Sequence, residues 1–172
     1  MATPPDPTLT PPAPTPAGLW RRSMSATYEA IVLFGVVVFF GYLFSALLQY
    51  RVDPGATRLM DWVFRAWLFA VLGAYFVWFW SRGRRTLPMK TVELRVVDTE
   101  GRPLSPARAA WRYLCGWATM LVPAAAASAG GPLWLLLIPA AYGCALFDPL
   151  HRTLYDRLSG TRLIVDTTRP NR

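Results

Sequence analysis

"YLCGWATMLVPAAAASAGGPLWLLLIPAAYGCALF" occupies Tyr113–Phe147, 35 residues without a charge. A membrane-crossing helix needs about 20 apolar residues, so this run is too long for one straight span. Inside it lies "SAGGP", Ser128–Pro132, two glycines and a proline that together form the strongest breaker in the chain. One long kinked helix and a hairpin of two short helices both fit the pattern. They differ in one respect: whether the segments before Tyr113 and after Phe147 share a face of the bilayer.

Charge decides between them. The loop 81–112 carries Arg82, Arg84, Arg85, Lys90, Arg95, Arg102, Arg108 and Arg112. The stretch after Phe147 carries five arginines, whereas the loop 49–61 carries two. Basic loops stay on the cytoplasmic side, which puts both arginine-rich stretches on that face. An even number of crossings must then separate them, so 113–129 and 133–147 go out and come back, as two short spans or a re-entrant hairpin.

Two further apolar segments precede this one. Tyr28–Leu48 has 21 residues and a single charge, Glu29, at its start. Trp62–Trp80 contains Arg65 within its first turn, from where a long side chain can snorkel to the interface. Tryptophans and tyrosines crowd the ends, as an interfacial aromatic belt requires. With Arg21 and Arg22 just before the first segment, the N-terminus is also placed in the cytoplasm. The expectation is an all-α integral membrane protein of four transmembrane helices (28–48, 62–80, 113–129, 133–147), the last two a short hairpin, with both termini inside.

Composition agrees. Of 172 residues, 53% are apolar and only 16% charged, against about a quarter charged in soluble domains. The net charge of +8 lies in arginines that flank apolar segments. It therefore reads as orientation and contact with anionic headgroups, not as nucleic-acid binding. Residues 1–17 hold seven prolines and no apolar periodicity, and 1–19 are assigned to a disordered tail. The membrane domain is taken as 20–166, followed by a short tail, 167–172.

The loop 81–112 is expected to carry structure. "TVELRVV", Thr91–Val97, alternates like a strand and runs into the turn "DTEG". "LRVVD" at 94–98 is echoed by "RLIVD" at 162–166. Two strands too short to stand alone have reason to pair, giving a small cytoplasmic β element that clamps the helix bases.

Three stretches resemble the RDD family of small bacterial membrane proteins: "RRSMSATYEA" (Arg21–Ala30), "GRRTLPMKTVELRVVDTEGRPLS" (Gly83–Ser105) and "FDPLHRTLYDRLSGTRLIV" (Phe147–Val165). The resemblance spans about residues 20–166, and its closing motif is quite specific. It implies a bacterial inner-membrane location and a family charged motif of Arg22, Glu29, Asp148 and Asp156. It also implies transport of a small ion or solute. Two departures stand out: Glu29 replaces the usual aspartate, and Tyr155 stands where histidine is common.

Arg22 and Glu29 are seven apart and share a helix face, and Asp148 ends the last helix on the same side of the membrane. The expectation is a cluster Arg22–Glu29–Asp148 at the membrane edge, with Arg112, Arg152 and Arg157 as candidate partners. Two readings compete: a proton- or cation-exchanging site, and an ion-pair latch that fixes helix ends. The latch is favoured because both acids lie at the edge, away from the midplane where carriers bind. The small-residue run Pro123–Gly131 reads as close helix packing, or as a docking face for a partner or a second copy. Cys115 and Cys144 read as small buried hydrophobes, with no metal spacing. The single histidine, His151, has no catalytic companions. Hence no enzyme activity, cofactor or metal is assigned. The partners expected are the lipid bilayer and another membrane protein or a second copy.

Overall fold

The computed structural model describes residues 16–48, 58–149 and 151–166. Helix α1 is Leu19–Leu48 and α2 is Arg58–Trp80. A short helix α3 (Leu87–Thr91) leads into β1 (Leu94–Asp98). Helix α4 is Pro106–Gly130; a 3-10 turn, Pro132–Leu136, then runs into α5 (Leu137–Phe147). Helix α6 (Leu154–Leu158) and β2 (Thr161–Val165) complete the fold.

Two of these helices, α1 and α2, are long and apolar enough to cross a membrane. At 1.5 Å per residue, the 30 residues of α1 reach about 45 Å, well beyond a hydrocarbon core of about 30 Å. Its first two turns, from Leu19 to Arg22 and Ser25, belong to the end of the molecule that holds the sheet. Ile31, Phe34 and Tyr42 on α1 are strongly exposed, and α2 buries no residue. Such surfaces are stable against lipid chains rather than water.

The chain reverses at the glycine pair. Gly131 adopts φ +98°, a left-handed conformation that glycine takes without strain. A Cβ at Gly130 would sit 2.6 Å from the Trp134 indole nitrogen. Both glycines are thus needed for the chain to turn and for Trp134 to pack back. The 3-10 turn and α5 pack on α4, so the uncharged run forms a hairpin. Its descending arm, Pro132–Phe147, has 16 residues and falls short of a full-length span. Ala124, Ala125 and Ser128 remain exposed above the packed part.

The densest core is at the sheet end. β1 and β2 pair antiparallel, Leu94 opposite Val165 and Asp98 opposite Thr161. Leu94, Val96 and Leu163 are buried with Met89, Leu104, Ala109 and Ala17, and Val77 and Trp80 of α2 pack against them. Each large apolar side chain contributes about 1.5–3 kcal/mol on burial, enough to seat a two-strand sheet that could not persist alone. Asp98 closes the following turn by accepting from the N–H groups of Glu100 (2.9 Å) and Arg102 (2.8 Å).

Three expectations need correction. The strand expected over Thr91–Val97 begins only at Leu94. Thr86 caps α3, whose second residue is Pro88, and this helix absorbs Thr91; Glu93 then turns through φ +55°. The residues 16–19 assigned to the tail belong to the fold: Ala17 is fully buried and its N–H bonds the Leu163 carbonyl at 3.1 Å, while Pro16 bridges Ile164. The rest of that tail, 1–15, and the tail 167–172 lie outside the described residues. Helix α4 starts at Pro106, not at Tyr113, because Ser105 caps it by accepting from the Arg108 N–H at 3.3 Å. Arg112 therefore sits inside a helix rather than in a loop. The thiols of Cys115 and Cys144 are both free, the first buried and the second half-buried.

Candidate functional site

Asp156 is the third residue of α6 and is fully buried. One carboxylate oxygen accepts from the Thr153 N–H at 3.0 Å, the acidic half of a capping box. The same oxygen lies 2.8 Å from Arg22 Nη1 of α1. The other lies 2.6 Å from Arg112 Nη1 of α4. One carboxylate therefore joins three helices. Burial alone would raise the pKa of this aspartate, but the Arg112 and Arg22 guanidinium groups outweigh it and hold the carboxyl below the ordinary aspartate value.

Arg112 has further contacts through Nη1 and its guanidinium face. Its Nη1 also donates to the Thr161 hydroxyl at the start of β2. Its guanidinium carbon stands 5.0 Å from the Trp80 ring centre and 4.8 Å from that of Tyr155, a cation between two aromatic faces. Tyr155, the departure from the family's usual histidine, serves here as one of those faces. Burial raises its phenol well above the ordinary value, keeping it neutral.

Glu29 stands apart from this network. Its two oxygens accept from the hydroxyls of Tyr75 on α2 and Thr86 before α3, both at 2.7 Å. No cation lies within ion-pair distance of it among the described residues. The Thr86 hydroxyl also accepts from the Met89 N–H at 3.3 Å, so one side chain caps α3 and ties it to α1.

The expected cluster of Arg22, Glu29 and Asp148 therefore does not form. Seven residues of helix rise about 10.5 Å, and side chains on a helix lean toward its N-terminus. Arg22 accordingly reaches down to α6, while Glu29 meets α2 a level above. Asp148 is a separate site just beyond α5. It takes a fork from Arg152, with Nε at 3.0 Å and Nη2 at 3.1 Å, and accepts the Arg152 backbone N–H at 3.0 Å. The side-chain fork on Asp148 holds the Arg152 guanidinium more firmly protonated than usual. Arg157 is exposed on α6 and joins no part of the network. Of the three candidate partners, Arg112 pairs with Asp156 and Arg152 with Asp148, while Arg157 pairs with neither.

The sheet end carries more ion pairs. Asp166 is buried beside Arg85 (2.5 Å) and Arg95 (3.2 Å), and Asp98 takes Arg102 and Arg108, each at 3.3 Å. Against the burial of Asp98, which would raise its pKa, hydrogen bonds from the Arg102 and Glu100 backbones and the Arg102 side chain prevail and lower it. Sequence reasoning missed Tyr75, Thr86, Thr153 and Thr161. Thr86, two residues before a proline, carries a helix-start signal that would have found it. Thr153, three residues before Asp156, likewise shows capping-box spacing; Tyr75 and Thr161 carry no such signal.

Above the network, a cavity of about 660 Å³ is walled by α1, α2, α4 and α5, with Arg22, Glu29 and Arg112 on its surface. No group of three or more metal-ligating side chains occurs among the described residues.

These features define a helical bundle with two helices of membrane-crossing length, closed at one end by a two-strand sheet and a buried arginine–aspartate knot. The chain belongs to the RDD family, whose sequence profile matches residues 16–160. The match starts at Pro16, where the described fold also starts. No curated protein and no solved structure matches the chain.

Proposed function

We propose that this is a multi-pass protein of the bacterial inner membrane with four crossing helices, and that its family charged motif is a structural latch. The sheet, the basic loop 81–112 and both termini face the cytoplasm. Its role is that of a scaffold or assembly partner for another membrane protein, without catalytic activity. The observation that carries the reading is Asp156 held between Arg22 and Arg112. A carboxylate locked by two guanidinium groups neither takes up a proton near neutral pH nor exchanges a cation, and Asp148 is likewise occupied by Arg152.

The test combines topology, flux and assembly. A reporter fused behind Arg172 should be active only in the cytoplasm. Wild-type protein in liposomes should show no sodium-dependent proton flux above protein-free vesicles, and a stoichiometric companion should survive gentle-detergent isolation. Repeated recovery of the chain alone overturns the scaffold role.

One observation favours a second reading, transport of a small ion or solute. Glu29 is a buried carboxylate on the cavity wall, held by hydroxyls rather than by a cation. If it exchanges protons, Glu29→Gln should abolish flux and leave thermal stability nearly unchanged.

A further inference from the structure

We propose that the cavity between α1 and α5 is a binding site for a membrane lipid with an anionic headgroup. The proposal rests on the bilayer placement given above but not on the latch or scaffold role. The floor and the walls of this cavity differ in chemistry. Its floor is polar, formed by Arg22, Arg112, Trp80 and Thr153, whereas Leu33, Leu72, Met120 and Leu146 line the walls.

Three buried nitrogen atoms of floor residues have no hydrogen-bond partner among the described residues, Arg22 Nη2, Arg112 Nε and Trp80 Nε1, and the Thr153 hydroxyl beside them, itself able to donate, is likewise unpartnered. All three nitrogens are donors, and none of them can accept. Each unmet buried donor costs about 1–3 kcal/mol, so the set is completed by a group that only accepts. A phosphate oxyanion is such a group, and guanidinium recognises it well. The charge agrees: Arg22 and Arg112 face Asp156, leaving one positive charge in the knot. Glu29 lies outside the knot: its carboxylate accepts from the hydroxyls of Tyr75 and Thr86 and makes no ion pair with Arg22 or Arg112.

The walls account for the rest of the molecule. From Arg22 to Leu33, α1 climbs eleven residues, about 16 Å, close to half of a hydrocarbon core of about 30 Å. A headgroup on the arginines would thus lay its acyl chain along α1 within one leaflet. Helix α1 packs on α2 and α3, while α5 packs on α4 and α6, so no described helix fills the space between α1 and α5. At about 660 Å³ the cavity is of the size that encloses small ligands. A free anion would satisfy the donors and leave the apolar walls bare; a lipid satisfies both.

Native mass spectrometry tests this on the full chain in nanodiscs of equal phosphatidylcholine and phosphatidylglycerol. On release into mild detergent, one phosphatidylglycerol should remain per protein, enriched about tenfold over phosphatidylcholine, as one retained charge-assisted contact predicts. Gly116→Leu supplies the second arm. Gly116 lines the cavity and a Cβ there meets nothing within 4 Å. The larger side chain fills the space, and leucine favours helix over glycine. This variant should keep its thermal stability and lose the bound lipid. Equal retention of both lipids overturns the proposal, as does a Gly116→Leu protein that still holds phosphatidylglycerol. Release of the lipid by excess inorganic phosphate alone assigns the arginines to a free anion, and a dimer without lipid assigns the cavity to a second copy; either result overturns it.

Discussion

Arg112, in the second turn of α4, touches Asp156 Oδ1 at 2.6 Å, and Asp156 lies just beyond the end of α5. This contact joins the two ends of a 35-residue run that contains no charge of its own. Removing the acid strands two buried guanidinium groups, and breaking such a pair costs about 3–5 kcal/mol. Asp156→Asn should therefore unfold at markedly lower temperature in detergent, followed by tryptophan fluorescence. Because Arg22 and Arg112 share one carboxylate, the Arg22→Met and Asp156→Asn losses should sum to more than the loss in the double variant. Additive losses would show that the network is not one unit.

The same network fixes a pH dependence. Asp156 and Asp98 both have pKa values below the ordinary aspartate value, about 3.9 in the unfolded chain. A lowered pKa adds stability that is fully present above the unfolded value and is lost as pH falls through the folded one. Unfolding temperature should thus be level from about pH 7 to 5 as far as these two groups govern it, and drop below about pH 4. In Asp156→Asn the acid-side drop should shrink. An undiminished drop would mean that other carboxylates govern acid unfolding.

How much of this could be read from the chain varies by element. The hairpin was legible because "SAGGP" is both a chemical breaker and the midpoint of an uncharged run. The β pairing was legible from the echo of "LRVVD" in "RLIVD", and the bounds of the second strand agree to within one residue: β2 spans 161–165 rather than 162–166. The beginning of the strand was not, since a capping threonine and Pro88 turned part of the alternating stretch into α3. The motif residues were visible, but their pairing was not. Residues seven apart on one helix share a face, yet whether Arg22 meets Glu29 or Asp156 depends on where α6 lies, and that is set by long-range packing. Thr161 and Tyr75 had no local signature because a single hydroxyl gains meaning only from the charge placed beside it.

The glycine pair offers a separate test of the hairpin. Gly131 holds φ +98°, and an alanine there is strained by about 1–3 kcal/mol. Gly130→Ala must instead displace the Trp134 indole, which a Cβ would approach to 2.6 Å. Both variants should lower the unfolding temperature, and Gly130→Ala should also shift Trp134 emission. By contrast, Ser128→Ala in the same turn, with an exposed side chain, should change stability by less than about 0.5 kcal/mol.

The sheet core should respond like that of a soluble domain. Leu94 is fully buried between α3, β2 and the base of α2, so Leu94→Ala should cost about 2–5 kcal/mol. Ile31, of similar size but strongly exposed on α1, should tolerate alanine with little change in detergent unfolding. Comparable losses at the two positions would contradict a core concentrated at the sheet end.

Thr86 gives the sharpest local prediction because one hydroxyl does two jobs. It donates to Glu29 at 2.7 Å and accepts from the Met89 N–H at 3.3 Å. Thr86→Val keeps the shape and removes both, losing a hydrogen bond to a carboxylate, worth about 1.5–3 kcal/mol, and a helix cap worth about 0.5–2 kcal/mol. Tyr75→Phe removes only the other donor to Glu29 and should cost less than Thr86→Val. Thr86→Ser retains the hydroxyl and should stay near wild type. The order Ser, then Tyr75→Phe, then Val in rising cost is the expected outcome of thermal unfolding. A Thr86→Ser variant as unstable as Thr86→Val would show that the methyl, not the hydroxyl, holds α1 to α3.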